Sequence, residues 1–236
     1  MKKVLITQSN YVPWKGYFDA IASVDEFILF DCAQYTRQDW RNRNLIKTAK
    51  GTRWLTVPVT IDGLYTQKIR ETRIADREWR RQHWNLLESA YREAPSFREM
   101  SPLIRELYDG AFSGLLSEVN HFLITGICTM LGIKTRITHS SEYELIDGKS
   151  ERLVHMCRQA GATDYYAGPS ARAYMNERLF EEAGIRVHYL DYSGYPTYRQ
   201  SHGEFVHQVS ILDLLFNEGE NSSRYMKLGS EKAIRG

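Results

Sequence analysis

Two short apolar runs, Lys3–Thr7 (KVLIT) and Glu26–Phe30 (EFILF), bracket a stretch whose Tyr17, Phe18, Ile21 and Ala22 share one helical face. Runs of that length, rich in β-branched and aromatic residues, are the pattern of buried strands. Two parallel strands cannot be joined by a tight turn, and a crossover helix is the usual solution. The resulting βαβ unit commits the chain to a mostly parallel sheet with helices covering its faces. The expected fold class is therefore α/β, Rossmann-like.

The same rhythm resumes later. Lys134–His139, Asp164–Ala167 and Arg186–Leu190 are strand-like, and Ser150–Ala160, Ala171–Ala183 and Val209–Phe216 are helical. Trp54–Thr60 alternates and predicts a further strand, with Pro58 at an edge or strand end. Between these halves the pattern is helical only: Asp76 to Ala94 with Asp76 as N-cap, Ser101 to Tyr108, and Ser113 to Leu131 closed by Gly132. The expectation is one α/β domain over 1–219 with a helical insertion at 76–132, followed by a polar tail at 220–236.

Composition narrows the function classes. The chain has 236 residues, long enough for one sizeable core, and its charges nearly cancel at a formal +2. That balance argues against a general nucleic-acid or anionic-membrane binder. No apolar stretch reaches the ~18 residues of a membrane span. The three cysteines, Cys32, Cys128 and Cys157, form no CxxC pair, and the MKKVLITQ start is too brief for a signal peptide. A reduced, cytoplasmic protein is expected.

Ligands of parallel sheets bind beyond the carboxyl ends of the strands. Polar and aromatic residues crowd there. The first strand is followed by Gln8, Ser9, Asn10 and Tyr11, with Trp14, Lys15 and Gly16 at the helix start. A turn needs only Gly, Pro, Asn or Asp, so this chemistry has no local purpose. After the second strand come Asp31, Gln34 and Tyr35, then the arginine- and amide-rich segment Arg37–Asn44. Arginine grips phosphates and carboxylates through a planar fork, and amides pair with sugar hydroxyls or base edges. Ser170 and Tyr195 follow later strands, and His202 sits in HGEFVH, whose histidines lack HExxH spacing. No metal site is expected.

Together, QSNYVPWKGYFDAI, SVDEFILFD, QYTRQDWRNRN, ERLVHMCRQAGATDYYAGPSARAYM, DYSGYPTY and VSILDLLFN resemble the WbqC-like family over nearly the whole chain. The resemblance implies a place among enzymes that build or decorate sugars of surface polysaccharides such as the O-antigen of lipopolysaccharide. Asp31, Gln34, Tyr35, Asn42, Arg43 and Asn44 fall on the family pattern. Its acidic pair is here Asp31–Cys32, which removes one of the two carboxylates a metal would need. The architecture is also similar to nucleotidyl-transferring Rossmann-like folds, but Trp14–Tyr17 stands without His where their phosphate signature lies.

The expected activity is transfer of an acyl or aminoacyl group onto an amino sugar, nucleotide-linked, with acyl-coenzyme A or a nucleotide as candidate donor. Asp31 or His202 would be the base, and Arg43 or Lys15 would stabilise the oxyanion. Gln8, Asn10, Tyr11, Trp14, Gln34, Tyr35, Asn42, Asn44, Ser170 and Tyr195 would bind the substrate. A nucleotidyl- or glycosyltransferase is the alternative enzyme. A non-catalytic binder of sugar or single-stranded nucleic acid is the alternative outside catalysis.

Overall fold

A computed structural model describes residues 1–61, 63 and 65–227, and the backbone of 234–235. The remainder of the polar segment expected at 220–236, residues 228–233 and Gly236, lies outside the described residues.

Strand β1 spans Lys3–Thr7, β2 Glu26–Leu29, β5 Arg136–His139, β6 Asp164–Ala167 and β7 Arg186–Leu190. Together with β8 (Ile234–Arg235) they form a six-stranded sheet in the order β5-β2-β1-β6-β7-β8. All neighbours run parallel except β8, which pairs antiparallel with β7. This is an α/β, Rossmann-like sheet. The chain winds outward from β1 to one edge, then returns to β6 on the other side of β1. The strand order therefore reverses between β1 and β6, where ligands of such folds settle.

Side chains alternate along every strand, so the sheet feeds two cores. Leu5, Phe27, Leu29, Tyr166 and Leu190 point into the larger one. Val4, Ile6, Ile28, Tyr165, Ala167 and Tyr189 point into the smaller one. The smaller core is capped by α5 (Ser150–Gln159) and α6 (Glu177–Glu182). The larger core packs α1 (Lys15–Ala22), α2 (Trp79–Tyr91), α3 (Phe97–Gly110), α4 (Leu116–Met130) and α7 (Ile211–Glu218). Among the described residues no helix is long and apolar enough to cross a membrane.

Several elements depart from the sequence pattern, each for a physical reason. Trp54–Thr60 does not add to the parallel sheet. Instead β4 (Gly51–Thr56) folds back on β3 (Arg43–Thr48) as a separate antiparallel hairpin ending before Pro58, which has no N–H to donate. Helix α3 begins a turn earlier than Ser101. Phe97 stacks on Phe216 at 5.4 Å and Met100 is buried, and this packing outweighs the hydrogen bond forgone at Pro102. Asp76 accepts from the Glu78 N–H at 2.8 Å, and α2 starts only at Trp79. The helix expected over 171–183 breaks into a 3-10 turn, Pro169–Ala173, and α6. Ser150 is the first residue of α5 and accepts from the Asn176 N–H at 2.9 Å.

Candidate functional site

The loop after β1 is fastened on three sides. The Tyr11 N–H donates to the Trp40 carbonyl at 2.9 Å. Asn44, on β3, donates through Nδ2 to the carbonyls of Tyr11 and Val12 at 3.1 and 3.0 Å. Ser210, the N-cap of α7, donates its hydroxyl to the Val12 carbonyl at 2.7 Å. The Ile211 N–H donates to the Pro13 carbonyl at 2.9 Å. Held this way, the loop presents Asn10, Pro13 and Trp14 to a cavity of about 700 Å³ at the sheet's carboxyl edge.

Four aromatic rings wall this cavity: Trp14, Trp40, Tyr192 and Tyr195. Trp14 meets Tyr192 and Tyr195 edge-on, with centroids 5.3 and 5.6 Å apart. The polar lining is Asn10, Asn44, His207 and Gln208, and Pro13 and Gly194 complete it. None of these residues carries a carboxylate. The size and the mix of apolar walls with a few polar groups suit a small organic ligand. Rings cover the faces of a sugar, and amides match its hydroxyls.

Lys15 lies directly behind this wall. It is buried, donates Nζ–H to the Pro196 carbonyl at 2.9 Å, and sits 5.0 and 5.3 Å from the ring centroids of Tyr195 and Tyr198. Burial brings its pKa down to about 8, against the opposing pull of Asp19. The Tyr195 phenol is pushed up by burial and by its hydrogen bond to Asp19. His207 is lowered by burial and by the neighbouring Lys15 charge, so it is neutral at neutral pH and able to accept a proton.

A second polar cluster stands beneath the loop. Asp31 is buried; its carboxylate accepts from the Ser9 N–H at 2.9 Å and from the Ser117 hydroxyl on α4. Asn120, also on α4, donates to Ser9 Oγ at 3.0 Å and to the Arg41 carbonyl at 2.8 Å. The Arg41 guanidinium donates to Asn10 Oδ1. The cluster thus carries the orientation of the cavity residue Asn10 back to the helical insertion.

Of the residues singled out in the sequence, Asn10, Trp14, Asn44 and Tyr195 converge on the cavity, with Lys15 behind them. The others lie elsewhere. Both Asp31 oxygens are engaged in the lower cluster. His202 bonds through Nε2 to the Ala90 carbonyl at 2.9 Å, at the end of α2. The Arg43 guanidinium lies 4.1 Å from the Trp54 ring and donates to the Gln38 carbonyl. Tyr11 is core: its hydroxyl meets His83 Nδ1 and the Tyr108 hydroxyl, each at 2.7 Å. Burial drops the pKa of that His83 to about 4. Tyr35 is buried against the larger core, and Asn42 donates to the Val57 carbonyl at 2.8 Å. Gln34 is exposed and donates to the Tyr65 carbonyl at 2.8 Å. The Gln8 carbonyl accepts from the Tyr17 hydroxyl at 2.9 Å. Ser170 is exposed on a turn that folds over the smaller core.

Sequence reasoning passed over Trp40, Tyr192, His207 and Gln208. Three of them sat in stretches already conspicuous, Trp40 in QYTRQDWRNRN, Tyr192 in DYSGYPTY and His207 in HGEFVH. Choosing His207 over His202 needed the knowledge that α7 packs its start against the Pro13 loop. Among the described residues no group of three or more His, Cys, Asp or Glu gathers to hold a metal.

Fold and cavity together define a Rossmann-like α/β protein with an aromatic- and amide-lined cavity at the carboxyl edge of its sheet. A sequence profile described as the WbqC-like protein family matches residues 8–225, and the chain belongs to that family. It is similar to a Mycobacterium tuberculosis (strain ATCC 25618 / H37Rv) protein, the uncharacterized protein Rv1507c. The two are 52% identical over 227 residues, which span 96% of this chain and 98% of that one. No solved structure matches the chain.

Proposed function

We propose that this protein transfers an acyl or aminoacyl group onto the amine of a nucleotide-linked amino sugar, within the making of surface-polysaccharide sugars. The observation that carries the reading is the cavity itself. Its rings suit a sugar face, its amides suit hydroxyls, and it places one neutral imidazole, His207, among them. In this reaction the sugar nitrogen attacks the carbonyl carbon of a thioester donor such as an acyl-coenzyme A. A C–N bond forms, the C–S bond breaks, and His207 takes the proton from nitrogen and returns it to the leaving thiolate. The side-chain amides of Asn10 and Gln208, both in the cavity lining, would donate to the developing oxyanion. Asp31 orders the loop in this account, and His207 takes the role of base.

The test combines binding and turnover. The purified protein is incubated with nucleotide-linked amino sugars and acyl-coenzyme A donors, and products are weighed by mass spectrometry. The expected result is a mass gain of one acyl group, falling ~10²–10⁴-fold in His207→Ala, with the sugar still raising Tm. Sugar transfer to an acceptor, nucleotidyl transfer from a nucleoside triphosphate, or no stabilisation by any nucleotide sugar would overturn the reading.

A further inference from the structure

A nucleotide-linked sugar needs a place for its diphosphate and base. We infer that this place is the rim formed by residues 40–43 and Trp54, where Trp40 and Trp54 stack the base and Arg41 and Arg43 hold the diphosphate. The inference rests on the reading of the cavity as a nucleotide-sugar site and adds where the nucleotide half lies.

The usual anion seats beside this cavity are closed. The start of α1 is covered by the Trp14 indole, which lies so close over Gly16 that a Cβ there would come within 2.3 Å of it. Lys15 is turned away onto the Pro196 carbonyl. At the start of α7, the Ile211 N–H is spent on the Pro13 carbonyl and the Leu212 N–H on Ser210 Oγ. With both helix N-termini sealed, a diphosphate must be met by side-chain cations.

Those cations stand at the cavity's edge. Trp40 and Asn44 line the cavity, and the three residues between them each hold a buried polar atom without a partner: Arg41 Nε, Asn42 Oδ1 and Arg43 Nε. Buried polar atoms are nearly always paired, so two unspent donors, Arg41 Nε and Arg43 Nε, mark a surface built for something more, whereas Asn42 Oδ1 is an acceptor and offers a phosphate nothing. In Arg41 the Nε–Nη2 edge, the edge that grips an oxyanion bidentately, faces Asp39 only loosely, 3.7 Å from Nη2. Asp39 is itself committed to the Thr36 hydroxyl and the Trp40 N–H. Both Nε atoms are shielded from solvent, so an arriving phosphate meets them by rotation of the guanidinium heads.

The base platform is adjacent. Trp40 and Trp54 are 38% and 39% exposed, and their rings lie 5.3 Å apart. Rings of that size, partly exposed beside cationic side chains, stack heterocycles well, and the Arg43 guanidinium already lies over Trp54 at 4.1 Å. Trp40 belongs to both cavity and platform, so a sugar in the cavity leads its diphosphate past Arg41 toward the tryptophan pair.

The test is titration of the full chain with UDP, dTDP and GDP by calorimetry and tryptophan quenching, with pyrophosphate and uridine as separate arms. At least one nucleoside diphosphate should bind and quench fluorescence. Trp40→Ala and Arg43→Gln, both at the accessible rim, should each weaken it about tenfold or more. Arg41→Lys, which keeps charge but loses the fork, should do the same. Pyrophosphate binding as tightly as the nucleotides and indifferent to Trp40→Ala would overturn the base platform. Failure of every nucleoside diphosphate to bind at millimolar concentration would overturn the subsite altogether. An amino sugar 1-phosphate that still stabilised the protein would then show the cavity reading intact, and its failure would sink both.

Discussion

Val12 carries a φ of 33°, in a β-branched residue followed by proline. Such a conformation costs of order 1–3 kcal/mol and persists only where surroundings over-determine it. Asn44 is one of those surroundings, with two hydrogen bonds to the carbonyls on either side of the strained residue. Replacing its donor by an acceptor, Asn44→Asp, sets a buried carboxylate against two carbonyl oxygens. Urea unfolding should show a loss of at least about 2 kcal/mol, more than for Asn44→Ala. The cavity base follows a similar logic. Burial and Lys15 both lower the His207 pKa, so the neutral, proton-accepting form extends below the ordinary histidine value of 6.5. The acid limb of kcat/KM should therefore lie below pH 6.5. It should move upward in Lys15→Met, where the repelling charge is gone, and vanish in His207→Ala. A limb unmoved by Lys15→Met would assign it to another group.

Amides and rings at strand ends were readable as site material because nothing local requires them, and Asn10, Trp14, Asn44 and Tyr195 do meet at the cavity. Asp31 and His202 show the limit of that reasoning. Their partners, Ser117 and Ala90, are 86 and 112 residues away in the chain. A carboxylate already holding two hydrogen bonds looks, in sequence, the same as one waiting for substrate.

Elements place these residues, and the contact between Trp14 and α1 is the tightest example. Glycine at 16 lets the indole lie flat on the first turn, where it closes the helix start and forms a cavity wall. Gly16→Ala should change Tm only modestly, because the helix propensity alanine gains is set against displacing the indole from Tyr192 and Tyr195. Turnover should fall by on the order of a hundredfold, because the displaced ring no longer positions the substrate. A variant of full activity would remove Trp14 from the site. The β3–β4 hairpin acts likewise. It was invisible as a pair in the sequence, since β3 begins within the polar run Arg37–Asn44 that suggested a binding loop. Burial alternates over Arg43–Ile46, with Asn44 and Ile46 turned inward, so the same strand that supplies core also supplies a cavity amide.

At the scale of the molecule, one sheet serves two cores. Phe180 anchors the smaller core and stacks on Tyr165 at 4.9 Å. No tryptophan lies in that core; Trp79 and Trp84 are buried in the larger one. We propose that both melt as a single domain, because adjacent residues of the same strands belong to different cores. Phe180→Ala should cost ~3–5 kcal/mol, and tryptophan fluorescence should report the same lowered transition as circular dichroism. A fluorescence transition left at the wild-type position would show the cores to be independent.

The alternation of apolar runs and amphipathic stretches was enough to establish a parallel α/β sheet, because period-2 and period-3.6 burial is written into consecutive residues. The family was equally legible, since its motifs are contiguous. What only the tertiary structure decided was which polar groups are spent on one another and which face the cavity. Hydrogen-bond satisfaction joins residues far apart in the chain. The arrangement that sets Lys15 near His207, seals the start of α1 and strands the nitrogens of Arg41 and Arg43 exists only once the loop after β1, the hairpin and α7 are packed together.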